Sequence, residues 1–284
     1  MNATLTIAAL TVREAIRRRL VLALAAITVA LVSLSAWGFY RLSHGAAMTS
    51  GEIRAALPTA FILFMFMFSF IVALSASAVA SPAVSAEIDS GVLQAIVTRP
   101  VRRSEVLLGK WLGLAGLLAA YTAIVCGLEA GVVDWISGYL PPDPLAAAAF
   151  LFAEGAALLT LVLLLSTRLS ALAAGVIGVA LFGITWLAGV VGSLGTTFHI
   201  SALRTAGHVA QYLLPTDGLW HAAIYYLEPP AYVVQQLADS GGGGGGGDPF
   251  FVSAAPSWQY LTWAAIWLIL ILLAGLTSFE RREL

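Results

Sequence analysis

The chain has 284 residues, of which 60% are hydrophobic and only 10% charged, with a formal net charge of −1 and a mean hydropathy of +0.92. Soluble domains carry about a quarter charged residues, so this composition excludes a water-facing globule and points to the bilayer as solvent. The near-zero net charge offers no electrostatic footprint for nucleic acid, and one cysteine, Cys126 in an apolar run, excludes an internal disulfide or a cysteine-based metal cluster.

In chain order, the spacing first predicts an amphipathic helix over Thr4–Arg19. Leu5, Ala8, Ala9, Val12 and Ile16 share one side, and Arg13, Glu14, Arg17 and Arg18 lie towards the other. Ile7 and Leu10 fall off the apolar face, so the pattern is imperfect, but it reads as an interfacial helix feeding a span. The apolar stretch that follows, Leu20–Tyr40, exceeds the 7–15 residues of a signal-peptide core, so it reads as a retained span.

A spanning helix needs about 20 predominantly apolar residues. Six stretches qualify: Leu20–Tyr40, Pro58–Ala80, Trp111–Val133, Leu145–Ser166, Leu169–Leu194 and Trp258–Phe279. Arg168 separates the fourth from the fifth and predicts a tight surface turn. In the second span, Phe64, Met65, Phe66, Met67, Phe68 and Phe70 read as a stripe facing lipid or a second copy, or as the lining of an apolar path. The expected fold is all-α: six transmembrane helices in one membrane domain covering 1–284.

Orientation follows the Lys/Arg bias of short loops. With the N-terminus inside, eleven cations fall on the inner side and three (Arg41, Arg54, Arg204) on the outer. Both termini and the loop 87–110 are then expected in the cytoplasm, and 195–257 outside. In that outer segment, Ser201–Leu214 and Thr216–Leu227 have helical spacing. Asp217 is placed to cap the second helix, Pro229-Pro230 to end it, and Trp220, Tyr225, Tyr226 and Tyr232 suit a membrane boundary. The seven glycines of 241–247 are followed by Asp248-Pro249-Phe250 rather than Lys-Ser/Thr, so they read as a connector and not a phosphate loop. Any ATP hydrolysis belongs to another chain.

Two acids lie inside spans: Glu154 near mid-membrane and Glu129 nearer the outside. An intramembrane carboxyl is costly and marks a functional hypothesis: contact with a cationic substrate on a translocation path, or uptake of a proton. The alternative is a structural acid bonded to Thr122, Thr160 or a neighbouring helix. No paired histidine, metal motif or nucleophile accompanies Glu154, so no catalytic site and no metal site is expected.

The loop 87–110 is the most charged window. Asp89 or Ser90 can cap a helix, Val92, Leu93, Ile96 and Val97 give apolar spacing, and Pro100 stops it. About two turns are too short to be stable alone in water, so this helix needs a docking surface. Arg99, Arg102 and Arg103 follow, and Ser104 is placed to cap the next helix.

Glu87-x-x-x-Gly91-x-Leu93, Thr98-x-Pro100-x-x-Arg103 and Leu108-Gly109-Lys110 together resemble the loop between spans two and three of type-2 ABC export permeases. Many of these read E-x-x-x-G-T-L-x-x-L-L-x-x-P-x-x-R-x-x-x-L-x-G-K; Val92 stands where threonine is usual. Leu213–Trp220 is also similar to stretches before the last span of some members. Such permeases include drug exporters and proteins serving nitrous-oxide-reductase maturation. The resemblance implies a multi-pass protein of a prokaryotic cell membrane, pairing with a second permease copy and two ABC ATPase subunits. It binds no cofactor itself, and ATP and Mg sit on the partner. Gly91–Thr98 would be the coupling helix, with Glu87, Gly91, Leu93, Ile96, Arg99, Pro100 and Arg103 as its contact set. A permease of the maturation kind implies the alternative of a scaffold doing mechanical work on a periplasmic partner.

Overall fold

A computed structural model describes residues 3–17, 19–44, 50–89, 102–239 and 249–281. Eleven helices occur among them: α1 (Ala3–Ile16), α2 (Arg19–His44), α3 (Ser50–Ala80), α4 (Pro82–Asp89), α5 (Arg103–Ser137), α6 (Pro144–Ser166), α7 (Ala171–Thr197), α8 (Ser201–Leu213), α9 (Thr216–Leu227), α10 (Pro230–Asp239) and α11 (Trp258–Glu280). No strand is present among the described residues. Six segments are long and apolar enough to cross a membrane; they correspond to α2, α3 with α4, α5, α6, α7 and α11. The protein is an all-α, multi-pass membrane protein.

Several helix ends differ from the hydropathy pattern because caps, not apolarity, set them. α5 begins at Arg103 rather than Trp111, with Arg102 as N-cap. The Glu105 carboxylate accepts the Arg102 backbone N–H at 3.0 Å, the N3 half of a capping box, and Ser104 lies inside the first turn. α3 starts at Ser50 and runs through Pro58. Pro229-Pro230 ends α9 and also opens α10, because proline at the first helical position loses only an N–H that has no partner in the helix. Arg168 does mark the turn between α6 and α7: its guanidinium donates to Ser278 Oγ at 2.9 Å and to Ser278 O at 3.0 Å, pinning the turn to α11.

α6 is the central helix, touching α3, α5, α7, α9 and α11. Gly155 makes that possible: a Cβ there would lie 2.7 Å from Val72 Cγ1 of α3 and 3.0 Å from Leu118 Cδ2 of α5. α2 is peripheral, exposing Leu22, Ile27 and Val29. α1 lies across α5.

The aromatic stretch of α3 is core. Met65, Phe66 and Phe68 are buried, while Met67 is 44% exposed. Phe66 is surrounded by Phe70, Trp186 of α7, Trp220 of α9 and Phe250, with ring centroids 4.9–5.6 Å apart. Around Phe66, rings from four segments stand where the sequence pattern suggested lipid, a second copy or an apolar path.

Candidate functional site

The contact set expected between spans two and three divides in two. Gly91, Leu93, Ile96, Arg99 and Pro100 lie outside the described residues. Glu87 and Arg103 are described, and both are tied to the bundle. On the near side, Glu87 of α4 pairs with Lys110 of α5, Nζ to Oε1 at 2.5 Å. Lys110 Nζ also donates to the carbonyl of Ala83 at 2.6 Å. The lysine is 5% exposed, so its charge is matched within a largely desolvated pair, and loss of one partner would strand the other. On the far side, Arg103 Nη1 donates to the Glu280 carbonyl of α11 at 3.4 Å. The described residues flanking 90–101 are therefore each tied to the bundle, Glu87 on one side and Arg103 on the other.

The two intramembrane acids are buried, Glu154 at 2% and Glu129 at 0% exposure. Each is held by a serine of another helix. Ser69 of α3 lies 2.8 and 2.9 Å from the two carboxyl oxygens of Glu154. Ser35 of α2 donates to Glu129 Oε1. Of the structural partners expected, it is a neighbouring helix and not a threonine that each acid uses: Thr160 donates to Ala156 O and accepts from Trp111 Nε1, and Thr122 Oγ1 has no partner among the described residues. The acids bond different helices and share no partner. A hydroxyl has one proton and two acceptor lone pairs, so the Ser69 geometry suits either protonation state of the Glu154 carboxyl.

A third carboxyl, Asp217, has a different place from the capping role expected of it. Pro215 is the N-cap of α9, and Asp217 is 3% exposed. It accepts from Gln211 Nε2 of α8 at 2.8 Å and lies 3.5 Å from His221 Nδ1. It fits against α7 because residue 189 is glycine; a Cβ there would be 2.4 Å from both carboxylate oxygens. Burial pushes the Asp217 carboxyl above the usual range, opposed by His221 and by the Gln211 hydrogen bond. The only sequence signal for this cluster is the i,i+4 spacing of Asp217 and His221 in an apolar window.

Six apolar helices, pinned loop ends and buried acids leave the family open. A family model described as ABC-2 family transporter protein matches residues 5–284. The chain belongs to that family. No curated protein is similar enough to match it. As an ABC-2 family protein it is the membrane permease component of an ABC transporter, and its partner is an ABC ATPase that hydrolyses the ATP. The charge-matched pair Glu87–Lys110, the Arg103 tie and the buried carboxyls Glu129, Glu154 and Asp217 are thus features of a permease.

Proposed function

We propose that this permease exports its substrate, and that the segment between α4 and α5 faces the cytoplasm and receives force from the separate ATPase. The eleven-to-three division of Lys/Arg supports this orientation, with both termini inside. The observation that carries the coupling reading is the anchoring at both ends. Glu87 is paired with Lys110, which also donates to the Ala83 carbonyl, and Arg103 reaches Glu280. A push on 90–101 is then transmitted to α4, α5 and α11 rather than absorbed by slack ends. Glu87, Gly91, Leu93, Ile96, Arg99, Pro100 and Arg103 form the contact, in a homodimer of permeases carrying two ATPase subunits.

The test is a Leu93→Asp/Ile96→Asp variant. Two charges on the apolar side of a short docking helix are expected to abolish co-purification of the ATPase and its stimulation, a loss of about a hundredfold or more in affinity at roughly 1.4 kcal/mol per decade. Retained binding with retained stimulation overturns the assignment.

Glu154 is assigned to the substrate path or to proton uptake, because it lies deep in the central helix with its carboxyl held by another span. Glu154→Gln keeps the Ser69 contact and removes the charge. Export is expected to fall about tenfold at unchanged membrane abundance; full export of every tested substrate assigns the acid a purely structural role. Glu129, bonded to peripheral α2, is the second candidate on that path.

A mechanical scaffold acting on a periplasmic partner is the alternative. It is favoured by the packing of α9 directly on α3, α6 and α7, which would carry their movement to the outer side. Export that persists in a system with no periplasmic partner separates the two in favour of transport.

A further inference from the structure

We propose that Asp217 and His221 form a proton-binding clamp that joins α7, α8 and α9: with its proton bound the pair holds α8 against α7, and loss of the proton releases α8. Three elements close on one carboxyl. Gln211 of α8 donates to it at 2.8 Å, and His221 stands 3.5 Å from it, one turn along α9. Gly189 of α7 leaves it room, since a Cβ there would lie 2.4 Å from both carboxylate oxygens. His221 Nδ1 donates to the Asp217 carbonyl at 2.8 Å, which orients the ring. The histidine is the pair's route to solvent. Its side chain is 25% exposed against 2% for Asp217, and it lines a pocket of about 240 Å³ with His208, Gln211 and Tyr260. On the orientation proposed above, this pocket lies on the outer side.

α8 is the element that such a clamp can release. Its backbone touches that of α7: a Cβ at Gly207 would lie 2.7 Å from Gly192 Cα, and one at Gly195 would lie 2.6 Å from Arg204 N. A small displacement breaks contacts this close. The turn that follows is fixed on α11, where Trp263 donates to Tyr212 O at 3.1 Å, Trp267 to Leu213 O at 2.9 Å and Tyr260 to Pro215 O at 3.1 Å. α9 is anchored in the core by Trp220 against Phe66.

The surroundings decide the sign. α6 brings the Glu154 carboxyl and α11 the Tyr260 hydroxyl, and both interact electrostatically with Asp217. α8 carries His208 and Tyr212, with Arg204 exposed one turn before His208. α7 has no titratable side chain, and neither has α3 from Thr59 onward. On α9 itself, Tyr225 lies one turn beyond His221, and Glu228 is the C-cap. Burial holds the Asp217 carboxyl above the usual aspartate value of about 3.9, opposed by His221 and Gln211. The clamped state therefore keeps a proton that a solvated Asp217 gives up at lower pH. Clamping is favoured at low pH and is lost as pH rises through the raised value. One proton released per opening makes the open population grow about tenfold per pH unit between the two values.

The test is amide hydrogen exchange of the purified full-length permease in detergent, where both faces meet one pH, so an error in the proposed orientation would leave the result unchanged. After correction for the intrinsic pH dependence of exchange, opening of 201–213 is expected to rise by up to about tenfold per pH unit above about pH 4 and then level off, while the centre of α6 stays protected. Asp217→Asn keeps the acceptor for Gln211 and cannot ionise, so it is expected to hold α8 at its low-pH protection throughout. Gly189→Ala fills the carboxyl's seat and is expected to raise opening at every pH and to flatten the profile. A wild type with no pH dependence in α8 overturns the proposal. So does the wild-type slope persisting in Asp217→Asn, or an unchanged profile in Gly189→Ala.

Discussion

Gly113→Leu is expected to lift α1 off the bundle and to raise tryptic cleavage after Arg13 and Arg17 by about 5- to 150-fold. The basis is contact between backbones. A Cβ at Gly113 would lie 2.6 Å from the Ala8 carbonyl oxygen of α1, and one at Gly109 would lie 2.8 Å from the Thr4 carbonyl oxygen. A carbonyl inside a helix cannot swing aside as a flexible side chain can, so α1 itself must move. Overpacking of this kind costs about 1–3 kcal/mol, and a local opening equilibrium converts that into the stated rise in cleavable population. Helix propensity acts in the opposite direction, since leucine is favoured over glycine inside a helix by up to ~1 kcal/mol; a loss thus reports the contact. Gly116, with nothing within 4 Å of its Cβ position, is the control, and Gly116→Leu should leave cleavage unchanged. Cleavage that stays at the parental rate in Gly113→Leu would mean that α1 is not held by this notch.

The parts legible in the sequence were those set by one residue's solvent. Twenty apolar residues in a row need no tertiary knowledge, and α2, α6, α7 and α11 appear close to where hydropathy put them. Interactions between segments were not legible. α3 is apolar on every face, so no periodicity separates buried Phe66 from exposed Met67; only the rings of Trp186, Trp220 and Phe250 decide it. Glu154 and Glu129 stood out by composition, but their partners Ser69 and Ser35 come from helices distant in sequence. Asp217 read as a cap because it follows Pro215. Its burial depends on Gly189 of α7 and Gln211 of α8, which no local pattern places beside it. Proline carried two meanings at 229–230, stop and start, and only the stop was evident.

Trp220→Ala is expected to be the most damaging single truncation in the outer half of the bundle, while Trp220→Phe should be close to neutral. Trp220 is 1% exposed and the largest fully buried side chain among the described residues. It anchors α9 against Phe66 of α3, with ring centroids 5.6 Å apart. Lipid tails are as apolar as this core, so what alanine forfeits is mainly packing and the cavity left behind, on the order of 3 kcal/mol. Phenylalanine keeps a ring against Phe66. It also removes the indole Nε1–H, which is buried with no hydrogen-bond partner among the described residues, and a buried donor without a partner costs about 1–3 kcal/mol. The gain offsets much of the lost ring volume. Reversible unfolding in mixed micelles should therefore rank wild type and Trp220→Phe together and Trp220→Ala well below; a Phe variant as unstable as the Ala variant would show that the indole N–H, not the ring, holds the site. The damage should extend to transport. Phe66 and Ser69 are three residues apart on α3, one helical turn, and Ser69 holds the Glu154 carboxyl, so a void beneath α9 loosens the helix that positions this buried acid.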